Sequence, residues 1–500
     1  MRKFLTLGVG AAIASVAVAG EIDQSIAALG PGQEAGVDFG QTVEQLAKNR
    51  SLALFGTFGT LGASSTRSLT AEEANANPEQ LVTVAEGLAV RVISADPALA
   101  PNIDQIALWP SDTNPTHLIA CNEQGSSSVG VQSIEIRTGA VHTIILSGLT
   151  NCDPTRLTPW GTIIVGEENS TSGRIFEILD PLNTTNVTVP TSGYGPSSDP
   201  AHVVAREALG QFSFEGIGIL PTGVVYLTDE NRPGNGGIGN PGGAVVKFIP
   251  ANLWTSGNPP ISDLSQSPWV AGSIFGMRIG RNSGNTDVGQ GNEFGRGVWM
   301  EMAGTPPQNL RSAAATLKLT SYYRPEDMVL DPVVLAAGNV RFCGTNTGQD
   351  TPATDPNADN HWGEVYCVTD GTIEQASTIT IENGINTASI PEYHPLIMGD
   401  LDFAMPDNLD IQPGRGNFIV NEDGDGPIYS PPRNNDIWVC LDDGGDTDHL
   451  ADACAKMISL NDLTAESTGG VFDATGRRYF VSIQHNVTGH GVVLEVNGWH

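Results

Sequence analysis

The sequence is poor in basic side chains and in long apolar runs. Lysine and arginine together number 24 against 56 aspartates and glutamates, which gives a formal net charge of −32. A surface of this sign repels nucleic acid and anionic membranes, so the composition excludes both as partners. After the N-terminal stretch, no segment is long and apolar enough to span a bilayer. The surplus of acids suits divalent cations, although it also serves solubility alone.

The N-terminus carries the pattern of a secretory signal peptide. Arg2 and Lys3 precede an apolar stretch at 4–16, and the small residues at 17–19 form a cleavage pattern. The alternative, a membrane-spanning helix, would need a longer apolar run. Because this stretch holds no adjacent arginine pair, it predicts general secretion, to the medium, the periplasm or the cell surface. Residues 1–19 are then removed, and the mature chain begins at Gly20.

The remaining composition is that of strands and turns. The chain has 59 glycines, 32 prolines and only 16% charged residues, and it lacks the Ala, Glu and Lys blend of long helices. Residues 20–80 are rich in small residues with weak periodicity and predict an N-terminal arm. Residues 81–500 predict one all-β domain.

One unit recurs six times in that domain: an apolar strand, a polar cluster, a glycine-rich loop and a second apolar strand. The first strands read HLIACNEQ, TIIVGEEN, VVYLTDEN, VRFCGTN, NFIVNEDGDG and RYFVSIQHN. Two strands of a four-stranded blade in each copy predict a six-bladed β-propeller. A sandwich or two barrels would also use hairpins, but neither explains polar clusters at equivalent points. The segment at about 254–323 breaks the rhythm and predicts a partly helical insertion, with a helix at 308–319.

The polar clusters would face one another as a ring at one end of the propeller channel. The ring candidates are Asn122, Glu123, Glu167, Glu168, Asp229, Glu230, Asn346, Glu422, Asp423 and His485. Carboxylate and amide oxygens from several strand ends suit Ca²⁺, which takes six to eight oxygen ligands. The alternative is that acids after strands merely solvate turns, but their recurrence in register favours a site.

Six cysteines in an exported chain favour disulfides. Cys343 with Cys367, and Cys440 with Cys454, flank short turn-rich segments and are plausible pairs. Cys121 and Cys152 remain, and they could either pair or leave Cys152 as a soft metal ligand.

Outside the repeats, Arg324-Pro325-Glu326 follows the predicted helix. Arginine offers a planar fork for phosphate or carboxylate, and the neighbouring glutamate can hold a metal. The alternative is an ordinary surface ion pair.

Four ordered motifs resemble the PhoX-type alkaline phosphatases. Asn151-Cys152 is followed by TPWGT at 158–162 and by Glu167-Glu168, which is similar to that family's Cys, Thr-Pro-Trp-Gly-Thr and Glu-Glu signature. The later matches are Phe214-Glu215 with YLTDE at 226–230, then Arg324-Pro325-Glu326, and finally Gln484-His485.

The resemblance implies a six-bladed propeller that hydrolyses phosphate monoesters with Ca²⁺ and Fe³⁺. It implies that Cys152 binds iron, that Arg324 grips the phosphate as a catalytic residue, and that several acids hold the metals. Those acids are Glu167 or Glu168, Glu215, Asp229 or Glu230, and Glu326, to which the ring pattern adds Glu123 and Asp423. Two other functions stay open: a non-catalytic, calcium-stabilised binding propeller, and a calcium-dependent ester or lactone hydrolase. A monomer is the default expectation.

Overall fold

The computed structural model of the chain describes residues 49–232, 242–279, 294–348, 362–424, 429, 431–444 and 448–500. The predicted signal peptide, 1–19, and the first part of the predicted arm, 20–48, lie outside these ranges. The described part is mainly strands joined by turns. Its short α-helices are α1 (Ser51–Leu54), α2 (Ala71–Ala76), α3 (Leu310–Leu317), α4 (Pro332–Ala336) and α5 (Ile373–Ala376). Four 3₁₀ turns accompany them, at Pro78–Leu81, Glu207–Leu209, Leu264–Gln266 and Pro268–Val270.

Two strands near the start of the described chain, β1 (Val82–Val84) and β2 (Ala89–Ser94), join sheets formed by the end of the chain. The first blade then comprises β3 (Ile103–Trp109), β4 (His117–Asn122), β5 (Val131–Glu135) and β6 (Val141–Ser147). The second comprises β7 (Cys152–Leu157), β8 (Ile163–Glu167), β9 (Ile175–Ile178) and β11 (Val203–Ala205), with β10 (Val187–Thr188) added to the edge of the first.

The third blade comprises β12 (Phe214–Ile219), β13 (Val225–Asp229), β14 (Val245–Pro250) and β15 (Gly272–Ile279). Its edge strand β16 (Gly295–Glu301) pairs onward to the outer strand of the fourth blade. That blade comprises β17 (Pro325–Leu330), β18 (Asn339–Asn346), β19 (Glu364–Thr372) and β22 (Glu392–Met398), and a small hairpin, β20 (Ile381–Glu382) with β21 (Ile385–Asn386), joins β16.

The fifth blade comprises β23 (Pro406–Ile411), β24 (Phe418–Glu422), β25 (Asp436–Cys440) and β26 (Cys454–Leu460), with β1 on its edge. The sixth comprises β27 (Glu466–Phe472), β28 (Arg478–Gln484) and β29 (Val493–Asn497), completed by β2.

The six blades form a closed ring. The first strands of successive blades, β3, β7, β12, β17, β23 and β27, contact one another in that order, and β27 returns to β3. The ring is closed by β2, which pairs antiparallel with β29 as the outer strand of the last blade. The predicted six-bladed propeller is therefore confirmed, and each predicted hairpin is the second and third strand of a blade.

The arm from residue 49 onward packs on the fifth and sixth blades. Leu54, Phe55 and Leu69 are buried in one apolar cluster with Trp499. The backbone of Leu61 donates to the Lys456 carbonyl at 2.8 Å, which fixes the arm along β26.

The described residues of the segment predicted as an insertion, 254–323, include two strands and an α-helix. The strands are β15, a regular outer strand of the third blade, and β16, and the helix α3 lies inside the range predicted for a helix. Asn309 caps α3 by accepting a hydrogen bond from the Ser312 amide at 2.9 Å. Leu310, on its first turn, is buried against the third blade.

All six cysteines are paired. Cys343–Cys367 and Cys440–Cys454, as predicted, join directly opposed residues of neighbouring strands. Cys121–Cys152 instead joins β4 of the first blade to β7 of the second. Among the described residues, no helix is long and apolar enough to cross a membrane.

Candidate active site

Each innermost strand places an acid at one mouth of the channel. The second residue of five of these strands is acidic, and the sixth strand begins with an acid: Asp104, Asp153, Glu215, Glu326, Asp407 and Glu466. In the first five blades the pairing register of this strand shifts across the acid, and in the sixth it shifts farther along, between Thr468 and Val471. A bulge bends the strand and re-aims the side chains within it. All six acids line one cavity.

A second set of side chains follows the second strand of each blade. Its members are Glu123, Glu168, Glu230, Thr347, Asp423 and His485. The backbone amides of all but His485 donate to the carbonyl of the residue just before the inner strand. Glu123 donates to the Asn102 carbonyl at 2.7 Å, and Glu168 and Asp423 make the same contact with Asn151 and Met405 at 2.8 Å.

Glu167 and Asp229, which end their strands just before Glu168 and Glu230, face into the blade, because side chains alternate along a strand. Glu167 accepts from Arg174 at 2.6 and 2.7 Å, and both side chains are buried. Asp229 is held by Arg311 of α3, at 2.8 Å from its Nε. Glu167 and Asp229 were predicted as metal ligands, but the structure pairs each with an arginine and places neither in the lining of the cavity described next.

The converging side chains line a cavity of about 270 Å³. Eight predicted residues lie there: Glu123, Glu168, Glu215, Glu230, Arg324, Glu326, Asp423 and His485. Sequence reasoning missed Asp104, Asp153, Asp407, Glu466 and Arg232. The available signal was a second repeat, an apolar residue or proline followed by an acid at the start of each blade, as in Ile103-Asp104 and Pro406-Asp407.

Ten carboxylates and two arginines line this cavity, with His485 at its edge. Burial and then neighbouring carboxylates raise the pKa well above its ordinary range for Asp104, Asp153, Glu168, Glu215 and Glu466. The same two causes raise the pKa of Glu123 to about 7. Bringing so many acids together is unfavourable unless cations compensate them.

Arg324 is the cation at the centre of the cluster. Its Nε donates to Glu230 at 3.0 Å, and its Nη2 donates to Asp423 at 3.0 Å and lies 2.9 Å from Glu326. Burial alone would raise the pKa of Glu230, but the charges of Arg324 and Arg232, together with hydrogen bonds to Arg324 and Glu168, lower that pKa. The contacts made with described residues use Nε and Nη2, so Nη1 and its two N–H groups remain for a bound anion.

The comparisons with known proteins agree with this geometry. The family model described as alkaline phosphatase PhoX matches residues 123–486, from the end of the first blade's second strand to the end of the sixth's. The chain belongs to the alkaline phosphatase PhoX family. Membership implies phosphoric monoester hydrolase chemistry. No curated protein matches this chain.

Solved structures similar to this PhoX protein include dehydrogenases and a gluconolactonase. A PQQ-bound aldose sugar dehydrogenase from Streptomyces coelicolor is 13% identical, with 82% of this chain and 98% of that chain covered and a TM-score of 0.39. A gluconolactonase from Xanthomonas campestris is 10% identical, with coverage of 88% and 96% and a TM-score of 0.38. The PQQ domain of a Coprinopsis cinerea pyranose dehydrogenase is 13% identical, with coverage of 84% and 98% and a TM-score of 0.41.

The acids of the PhoX site fit a hard cation. Glu215, Glu326 and Asp407 each offer a carboxylate oxygen, and these three atoms lie within 4.8 Å of one another. Buried oxygens of Asp104 (Oδ1), Asp153 (Oδ1) and Glu215 (Oε2) accept no hydrogen bond from a described residue. Buried, unpaired carboxylate oxygens that point at one another are what a calcium site requires, and this donor set contains only oxygen.

The site does not fit the iron ligand expected from the resemblance. Cys152 is bonded to Cys121 and offers no thiolate, so its assignment as a metal ligand is wrong. The neighbouring Asp153 lines the cavity in its place. The sequence left this pairing open, and the juxtaposition of β4 with β7 decides it.

Proposed function

We propose that this PhoX protein is an exported, calcium-dependent phosphatase that hydrolyses phosphate monoesters at the acidic mouth of its propeller. The observation that carries the proposal is the cluster itself: ten carboxylates from all six blades around a half-buried arginine. A phosphate dianion cannot approach such a cavity unless divalent cations first reverse its charge. The requirement for cations is thus built into the chain. Ferric iron, which was expected through Cys152, is left out of the proposal because that ligand is lost.

Calcium would be held by the inner acids, with Glu215, Glu326 and Asp407 as the nearest set and Asp104, Asp153 and Glu466 beside them. When bound, the cations supply positive charge for the phosphoryl oxygens and activate the attacking oxygen. Glu123, Glu168, Glu230 and Asp423 form the outer layer of the same cluster.

Arg324 would bind the phosphate through Nη1. Its other nitrogens are fixed by Glu230, Asp423 and Glu326, so the guanidinium is held in one orientation before substrate arrives. A preorganised donor of this kind stabilises the charge that develops on the transferred group at little cost in reorganisation.

The test is hydrolysis of p-nitrophenyl phosphate at alkaline pH by protein that has been stripped with EDTA and reloaded with Ca²⁺. Calcium should restore turnover, whereas bis(p-nitrophenyl) phosphate and p-nitrophenyl acetate should be poor substrates. Glu326→Gln should lower turnover, while Glu177→Gln, a buried glutamate paired with Arg206 outside the cavity, serves as the control. Turnover in EDTA equal to that in calcium, or preference for the acetate ester, would sink the proposal.

Export is tested separately. Expressed with its natural N-terminus, the protein should be recovered outside the cytoplasm, and its intact mass should match a chain that begins at Gly20. An uncleaved chain would contradict the signal peptide proposed for 1–19. We expect the protein to be a monomer, and gel filtration measures this.

A further inference from the structure

A second cavity lies at the other end of the propeller channel. It measures about 420 Å³. The same six inner strands that give their first residues to the acidic cavity give later residues to this one. Its apolar lining includes Leu108, Leu157, Ile219, Val329 and Val471. An apolar cavity with a few polar groups is the usual form of a site for a small organic molecule.

The charged groups of this cavity are already satisfied. Arg156 donates to Asp327 and to the Gln105 Oε1, and also to the Thr155 carbonyl at 2.9 Å and the Met328 carbonyl at 3.2 Å. Asp410 accepts from the Phe472 and Ile411 amides at 2.7 and 2.8 Å. A charged ligand would therefore meet no buried counter-charge still in need of a partner.

One buried donor is left over. Gln105 lines the cavity and is 1% exposed. The hydrogen bond from Arg156 to its Oε1 fixes the orientation of the amide, because an arginine can only donate. Its Nε2 has no acceptor among the described residues. A buried amide donor without an acceptor is unfavourable, and a ligand oxygen would remove that cost.

We propose that this cavity binds a small, uncharged, largely apolar molecule whose carbonyl or ether oxygen accepts a hydrogen bond from the Gln105 Nε2. An anion is disfavoured by Asp410 in the lining and by the exposed Asp112 at the rim. An amine cation is disfavoured because it offers no acceptor to the Gln105 Nε2. The site is separate from the acidic cavity and does not depend on the phosphatase chemistry.

Three matched probes test the proposal by calorimetry and ligand-detected NMR. 2-Acetylnaphthalene offers a carbonyl, 2-ethylnaphthalene lacks the acceptor, and 2-naphthoate replaces it with a charge. The ketone should bind about three- to tenfold more tightly than the hydrocarbon, which is the effect of one neutral hydrogen bond. The carboxylate should bind more weakly than both. Absence of ketone binding, or a carboxylate that binds as tightly as the ketone, would overturn the proposal.

Two variants locate the binding. Gln105→Glu keeps an acceptor for Arg156 and removes the donor, so the ketone should fall to the affinity of the hydrocarbon. Ile219→Trp, at a half-buried position of the lining, should abolish binding of both. Leu146→Trp, on an exposed position of β6, is the control and should change neither. Thermal unfolding verifies that each variant is folded, and ketone binding that survives Ile219→Trp unchanged would refute the location.

Discussion

Glu167 and Glu168 are adjacent acids that the structure assigns to opposite tasks, and exchanging each for glutamine should separate them. Glu167 faces the blade interior and Glu168 faces the cavity. If the alternation of side chains along β8 decides their roles, one substitution should change stability and the other calcium affinity.

The Glu167→Gln substitution breaks a buried ion pair. The carboxylate receives two hydrogen bonds from Arg174, at 2.6 and 2.7 Å, and one from the Thr150 amide at 3.0 Å. Removing one charge of such a pair leaves the other buried and uncompensated, which costs about 3–5 kcal/mol. Because glutamine keeps one acceptor, we expect a loss of about 3 kcal/mol in the free energy of unfolding. Calcium affinity should change little.

The effect of the Glu168→Gln substitution on stability should change sign when calcium is bound. Burial, and after it the charges of Glu230 and Glu123, raise the pKa of Glu168 well above its ordinary range. Removing this carboxylate therefore relieves repulsion and should stabilise the calcium-free protein. With calcium present the same change removes a negative ligand, and affinity should fall on the order of tenfold, which is about 1.4 kcal/mol.

Urea unfolding followed by tryptophan fluorescence, with calcium and with EDTA, measures both stabilities, and titration calorimetry measures the affinity. The reasoning is refuted if Glu168→Gln destabilises the calcium-free protein. It is equally refuted if Glu167→Gln weakens calcium binding as much as Glu168→Gln does.

Three further outcomes follow from the described contacts. Arg324→Lys should lower kcat for p-nitrophenyl phosphate by about 10²–10³, since it removes a preorganised donor. Arg311→Lys is the control and should not lower kcat. Equal losses in the two variants would contradict the role of Arg324. Replacing both Cys121 and Cys152 by serine should cost about 3–4 kcal/mol of stability, given their separation of 31 residues, and leave hydrolysis intact; a folded but inactive variant would restore Cys152 as a ligand. Burial raises the pKa of Glu364 from 4.5 to about 6. Its contribution to the free energy of unfolding, about 2 kcal/mol, is therefore full below pH 4.5 and is lost as the pH rises through 6. Glu364→Gln should flatten that part of the stability profile measured by denaturant unfolding.

The fold was predictable because the repeat is visible in the chain. A polar cluster after the second strand of each blade, such as Asn122-Glu123 or Glu422-Asp423, marks the same point of each unit. Sequence could not decide which of two adjacent acids faces the channel. That choice depends on the alternation of side chains along the strand, so an error of one residue in the strand end exchanges the two acids. A strand end cannot be located to one residue from its pattern.

The inner acids were missed for a related reason. Asp104 and Asp407 are single acids inside short apolar or proline-containing segments, where an isolated carboxylate looks like a turn residue. Only the bulge that contains each of them, together with the cavity that both line, shows that they point to the axis. To predict the partner of Cys152, one must know the distance between two blades, and the spacing of cysteines along the chain does not give it.

The ring geometry explains how the chain keeps ten like charges together. Two blades hold the inner acid of the next blade through its backbone: Thr228 donates to the Glu326 carbonyl at 2.8 Å, and Thr345 donates to that of Asp407. The Cys121–Cys152 bond makes the same link covalent between the first two blades. Repulsion among the carboxylates acts to spread the blades, and these lateral links together with the closing strand β2 oppose it. Cations bound at the mouth would therefore stabilise the whole ring and not one loop, and we expect calcium binding and ring closure to be coupled in unfolding.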